Sequence, residues 1–192
     1  MSQKYLEKVQ NWTLNQKMGL NVEKTKTMIF NFTKEKQFTV NMMLNGKNIE
    51  VVKETKLLGT ILTNDLKWNR NTEELIKRAN KRMVLLRKIK EFNPNIEDLK
   101  IIYIMYIRSI LEQSCQVWHH SLYKENITDL ERIQKSALRI ILNEKQLNYD
   151  EALKEINLQD LHSRREFLCQ KFAENCIQNG KTKSMFPVKK KI

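Results

Sequence analysis

Glycine and proline are both scarce, four and two among 192 residues. All-β sandwiches spend those two residue types on frequent tight turns, so their scarcity argues against such folds and for long helices. Cysteine is scarce as well. Cys115, Cys169 and Cys176 form no CxxC pair and leave an odd thiol under any single disulfide, which suits buried or free thiols in a reducing compartment. No apolar run approaches the ~20 residues that a membrane helix needs. The opening MSQKYLEKVQNW is polar and lacks the apolar core of a signal peptide. These absences lead us to expect a soluble protein of the nucleus or cytoplasm with no membrane partner.

Catalytic signatures are missing too. The sequence holds no GxxxxGK[ST] phosphate loop, no GxGxxG, no HExxH, no Ser-His-Asp context and no pair of adjacent aspartates. His119 and His120 are neighbours. On a helix they would point about 100° apart, so they cannot chelate as an i, i+4 pair would, and they are expected at the surface or rim. Cys169 and Cys176 lie two helical turns apart with no histidine spaced as a metal partner, so core packing is the expectation. No metal ligand is assigned.

What the chain does have is apolar content and positive charge. Hydrophobic residues make up 41% of it, enough for one core or a core with a satellite. Lysine and arginine total 35 against 22 acidic residues, a net charge of +13. Such an excess points to an anionic partner. Nucleic acid leads and an acidic membrane surface follows; the competing reading is a lysine-rich composition inherited from an AT-rich genome.

Along the chain, Tyr5, Leu6, Val9 and Trp12 have a helical rhythm, and Gly19 suits the end of that helix. Lys26 to Phe32 and Phe38 to Leu44 read as strands, and Asn45-Gly46 signals a hairpin into Lys47 to Val51. Leu57 to Leu62 is a further strand candidate. After Asp65 the period changes. Residues 75, 79, 83, 86 and 89 set an apolar stripe on a helix from Asn69 to Glu91, which Asn93-Pro94 stops, with Pro94 suited to the start of the next helix. From Ile96 to Trp118 the run is apolar nearly all round, predicting a central buried helix. Further helices are expected over Thr128 to Leu142 (Leu130, Ile133, Ala137 and Ile141 on one face), Tyr149 to Ile156, and Asp160 to Gln178 (Leu161, Leu168 and Phe172), with Gly180 as a stop. The fold class is therefore α+β: a small antiparallel β piece with a helix over residues 1–64, a helical bundle over 65–180, and a loose basic tail over 181–192.

Several stretches match one family in order. Trp12-Thr-Leu-Asn-Gln-Lys-Met-Gly-Leu-Asn21 with Glu23-Lys24-Thr25-Lys26 and Met28-Ile-Phe30 resembles motif D of non-LTR retrotransposon reverse transcriptases. Glu54-Thr-Lys-Leu-Leu-Gly-Thr-Ile-Leu62 resembles their motif E, the primer grip, and Asp65-Leu-Lys-Trp68 their following D.L.W stretch. Tyr106-Ile-Arg-Ser-Ile-Leu-Glu112 with Val117-Trp118 is similar to the thumb helix ending in a VW pair. Leu130 to Ile141, Asp150 to Leu153, Arg164 to Cys169 and Met185-Phe-Pro187 resemble later segments. A lone LLG or KT is weak; collinear matches over nearly the whole chain carry the resemblance. One departure is Gln113-Ser114, where the family often has a tyrosine, and it puts the local packing in question.

The resemblance implies the end of a polymerase palm followed by a thumb. In the family, two Mg²⁺ ions held by carboxylates of upstream strands activate the primer end and stabilise the leaving pyrophosphate. The (F/Y)xDD hairpin that carries them is expected before Tyr5, so no catalytic residue and no cofactor is assigned within this chain. The expected partners are an RNA template or RNA–DNA duplex, held without sequence preference, and the upstream palm and fingers. Lys56, Leu57, Leu58 and Gly59 correspond to the primer grip, with Gly59 allowing close backbone approach; otherwise they form an ordinary strand with core leucines. Asn21, Lys24 and Thr25 correspond to motif D, where Lys24 would lie near the nucleotide phosphates; Lys24 and Lys26 could equally be solvated hairpin residues.

The helix from Asn69 adds candidates of its own. Lys77, Lys81 and Lys88 fall within about 40° of one another at 100° per residue, opposite the apolar stripe. Arg78, Arg82 and Arg87 flank that stripe, with stems that can pack and heads that stay wet. Such a face suits phosphate contacts; a solvated charged face is the competing reading, and Trp118 is expected in the core. The function expected from the resemblance is a nucleic-acid-holding fragment of an RNA-directed DNA polymerase, not an enzyme by itself. The alternative is a host-retained helical module that binds nucleic acid or protein.

Overall fold

The two sequence characters meet near Asp65, and the computed structural model of this α+β protein divides there into two units, Met1–Lys67 and Trp68–Ile192. It describes residues 2–32, 39–144, 146 and 148–185. Phe38, the Phe186-Pro187 pair and residues 186–192 of the basic tail lie outside them.

The first unit opens with α1 (Ser2–Asn15). Lys17, not Gly19, takes the left-handed conformation that ends the helix (φ 56°), and the Met18 amide donates to the Thr13 carbonyl at 2.8 Å. The strands are short. β1 (Lys26–Thr27) pairs with β4 (Glu50–Val51), β2 (Met43–Leu44) with β3 (Lys47–Asn48), and β5 (Glu54–Leu57) with β6 (Thr60–Thr63). The last two pairs are antiparallel hairpins, but β1 and β4 run parallel, so the expected all-antiparallel piece is corrected. The predicted strand from Lys26 keeps only its first two residues. Leu44 and Ile49 are the buried apolar side chains of this unit among the described residues, and so small a core cannot back a continuous sheet.

Leu57 to Leu62 is likewise not one strand. Leu57 pairs with Thr60, which leaves Leu58 and Gly59 as a two-residue turn. Both have positive φ, 48° and 86°, as a type I′ turn requires. Asn45 and Gly46 close the β2–β3 hairpin in the same way, with φ of 52° and 74°.

In the second unit the apolar stripe of α2 (Asn69–Lys90) is buried as predicted through Leu75, Ala79, Met83 and Leu86, while Ile89 is half-buried. Asn93 turns left-handed (φ 51°), and Asn95, beyond Pro94, caps α3 (Ile96–Ile102) by accepting from the Asp98 amide at 2.8 Å. The expected single helix from Ile96 to Trp118 is corrected: a π-helical turn (Tyr103–Arg108) follows α3. Then come α4 (Ser109–Glu112), a break at left-handed Ser114, α5 (Cys115–Trp118) and a 3₁₀ turn (His119–Ser121). Only one side is buried, through Leu99, Tyr103, Ile107, Leu111, Cys115 and Trp118. Gln113 explains the break. Its carbonyl, turned out of the helical path (ψ 120°), accepts from the Trp118 indole at 3.0 Å, and its side-chain oxygen from Arg78 at 2.9 Å.

Helix α6 (Lys124–Leu142) lies along α2 and buries Leu130, Ile133, Ala137 and Ile141. α7 (Tyr149–Glu155) is followed by α8 (Leu161–Gln178), which Asp160 caps by accepting from the Ser163 amide at 2.8 Å. α8 buries Leu161, Arg165 and Cys169, whereas Phe172, expected inside, is exposed.

Candidate nucleic-acid interface

The basic residues of α2 go to three different sides. Lys77 and Lys81 border a groove of about 800 Å³ between α2 and α6, floored by Ile76, Val84 and Ile133. Its acidic neighbours are already neutralised: Glu73 pairs with Arg70 at 2.8 Å and Asp129 with Arg132 at 2.5 Å. Lys77 and Lys81 are exposed and pair with no carboxylate among the described residues, so they set the net charge of the groove. Mid-helix lysines have no helix end to stabilise. Arg87, Lys88 and Lys90 differ, because they occupy the last turn, where cations offset the exposed carbonyls. Lys90 donates to the Ile141 carbonyl at 3.1 Å, and Arg87 lines a cleft with Arg139 where α2 and α6 end. A structural role accounts for them.

Arg78 and Arg82, about 100° further round the helix, line a cleft of about 430 Å³ against the π-helical turn. The Arg82 guanidinium lies 5.8 Å from the centre of the Tyr106 ring. Lys77 and Lys81, Arg78 and Arg82, and Arg87 thus border three separate clefts, while Lys88 is exposed and lines none of them.

In the first unit, Lys56, Leu57, Leu58 and Gly59 gather at the tip of the β5–β6 hairpin. The reading of Leu57 and Leu58 as core leucines is overturned, since they are 60% and 90% exposed. Holding a leucine at φ 48° costs roughly 1–2 kcal/mol relative to a residue suited to that region. No burial offsets that cost. Asn21, Lys24 and Thr25 share one turn: the Lys24 amide donates to the Asn21 side chain at 3.1 Å, and the Thr25 hydroxyl to the Asn21 carbonyl at 2.7 Å. The Lys24 side chain is exposed, while Lys26 pairs with Glu50 across the parallel ladder.

A polar constellation that sequence reasoning missed surrounds α8. His119, expected at the rim, is 3% exposed. The 3₁₀ turn and the opposing α8 bring His119 Nε2, His120 Nδ1 and a Glu166 oxygen within 4.8 Å of one another. The two rings approach Glu166 through different nitrogens, Nε2 of His119 at 3.4 Å and Nδ1 of His120 at 3.6 Å. Buried Arg165 donates from Nε to His119 Nδ1 at 3.3 Å. That bond leaves the proton of the neutral ring on Nε2, 3.4 Å from Glu166. A metal on Nε2 would put the proton on Nδ1, facing the Arg165 N–H. The polarity therefore favours a hydrogen-bonded brace over a ligand set.

Burial, and the Arg165 cation beside it, lower the pKa of His119 to about 4. Among the described residues this is the one cluster of three metal-ligating side chains, and two imidazoles with one carboxylate do not suit Mg²⁺, which takes oxygen ligands. A second buried network links Tyr103 to Gln134 (2.5 Å), Gln134 to Tyr149 (2.9 Å) and Tyr149 to Glu131, tying the π-helical turn, α6 and α7 together.

A scan of protein-family models, a search of curated proteins and a search of solved structures each found no match for the chain. No helix among the described residues is long and apolar enough to cross a membrane.

Proposed function

We propose that the chain holds nucleic acid without sequence preference, as the palm-end and thumb portion of a reverse-transcriptase-like polymerase. The observation that carries the binding is the pair of uncompensated mid-helix lysines, Lys77 and Lys81, on a groove whose other charges are paired. Cations placed so gain little within the fold and are available to phosphates, whose counterions they would release. The polymerase ancestry rests on the order of the sequence matches, and the strained, exposed Leu58-Gly59 tip supports its primer-grip part. With no adjacent aspartates in its 192 residues, the chain grips a polynucleotide and does not lengthen one.

The test is fluorescence anisotropy with an RNA–DNA duplex over a salt series. Affinity should fall steeply with salt, and the double variant Lys77→Ala/Lys81→Ala should flatten the log–log slope by about 2. Adding deoxynucleotides with Mg²⁺ should leave a bound primer unextended. Absence of binding at low salt would remove the proposal. A second reading, protein docking, is favoured by the apolar groove floor of Ile76, Val84 and Ile133. The salt series separates the two, because apolar docking keeps its affinity as salt rises.

A further inference from the structure

We propose that the cleft between α2 and the π-helical turn takes a single unpaired nucleotide, its base stacked on Tyr106 and its phosphate on the guanidinium groups of Arg78 and Arg82. This inference rests on the nucleic-acid-holding reading and specifies which form of nucleic acid it favours.

The π-helical turn is the first observation. Within it Tyr103 and Ile107 are buried while Met105 and Tyr106 face outward, 62% and 45% exposed. Such wide turns sacrifice helix geometry and recur at functional sites. The second observation is what the turn faces. Arg82 already lies over the Tyr106 ring, and Arg78 is held at the back of the cleft by its bond to Gln113. A half-exposed aromatic ring beside two guanidinium groups suits a ligand with a flat π-system and an adjoining anion. A nucleotide has both.

At about 430 Å³ the cleft falls at the small-ligand end of the range for binding sites, ~300–1,000 Å³. The faces of bases within a duplex are covered by their neighbours, so the occupant must come from a single strand or an unpaired end. Stacking a base on an aromatic ring contributes about 1–3 kcal/mol and tolerates any sequence. Lys77 and Lys81, on another side of α2, contact only backbone and serve both strand forms.

The test measures anisotropy of a single-stranded RNA and of a blunt duplex of equal length, with a fluorescent adenine analogue in the single strand reporting stacking. Tyr106→Ala should weaken single-strand binding by roughly 5- to 100-fold and abolish the quenching of the analogue, with duplex binding unchanged. Tyr106→Trp should restore both. Lys77→Ala/Lys81→Ala should weaken both nucleic acids alike. If Tyr106→Ala leaves the single strand and the quenching unchanged, or weakens both forms equally, while the lysine variant still acts, the nucleotide cleft is wrong and the wider reading stands. If neither nucleic acid binds wild-type protein at low salt, the wider reading fails and takes the cleft with it. Tyr106 is half exposed, so its variants keep the core; a circular dichroism spectrum matching wild type verifies that.

Discussion

The two units of the chain spend their apolar residues in opposite ways. In Trp68–Ile192, Leu75, Met83, Leu86, Leu99, Ile107, Leu111, Trp118 and Leu138 are buried in one helical core. In Met1–Lys67 the large apolar side chains are mostly outside: Tyr5, Val9 and Trp12 form a stripe along α1, and Phe30, Phe32, Val51, Leu57 and Leu58 are exposed as well. Side-chain chemistry is similar in the two; the opportunity to bury it is not. Helices satisfy their own backbone and need one apolar stripe each, whereas two-residue ladders leave most of their amides to solvent. The second unit also leaves Phe92, Phe167, Phe172 and others exposed, so what sets the first apart is that among its described apolar residues it buries only Leu44 and Ile49.

The sharpest way to break this comparison is to remove one apolar side chain from each unit. Leu86→Ala should cost about 2–5 kcal/mol in urea unfolding, because Leu86 is fully enclosed and its loss leaves a cavity. Val51→Ala, on an exposed strand, should change stability by less than about 0.5 kcal/mol. Equal effects would mean that Val51 is enclosed and that the core of the first unit extends beyond Leu44 and Ile49.

Acid should reach the second unit through a group the first does not have, since every histidine lies in the second. His119 has a pKa of about 4 in the folded chain against 6.5 as its ordinary value, so below 6.5 the unfolded state takes up the proton more readily. Its contribution is intact above pH 6.5 and drains away as pH falls towards 4. The full loss is about 3 kcal/mol, since each tenfold difference in proton affinity between the two states is worth about 1.4 kcal/mol. The difference in unfolding free energy between wild type and His119→Gln, followed from pH 7 to 4, isolates this group from the carboxylates. A difference that stays constant over that range would show that His119 is not held neutral by burial beside Arg165.

How far the sequence could be read tracks the range of the forces involved. The stripe on α2, the Asn45-Gly46 hairpin and the Asp160 start of α8 are set by residues within a turn or two, and they were legible. The burial of Arg165 and His119 was not, because it depends on α8 meeting the 3₁₀ turn forty-odd positions earlier in the chain. The Ile96–Trp118 run was misread for a related reason. Its periodicity was drowned by apolar residues on the exposed side, and the register shift of the π-helical turn has no local signature. Of the candidate site, the basic composition of α2 was plain in the sequence. Its division among three clefts was not, because the division is made by the helices that pack against α2.

The last comparison is the most pointed, since it sets two turns of the first unit against each other. Asn45-Gly46 and Leu58-Gly59 share a backbone geometry, yet asparagine tolerates positive φ and leucine does not. Leu58→Asn should stabilise the β5–β6 hairpin by about 1 kcal/mol, and Asn45→Leu should destabilise the β2–β3 hairpin by a similar amount. Both are readable as hydrogen-exchange protection of the ladder amides. If Leu58 contacts a primer end, Leu58→Asn should also weaken duplex binding while strengthening the fold, the opposite signs expected of a residue kept for contact and not for stability. A variant that is more stable and binds as well as wild type would leave Leu58 without a role, and the primer-grip assignment of Lys56 to Gly59 would go with it.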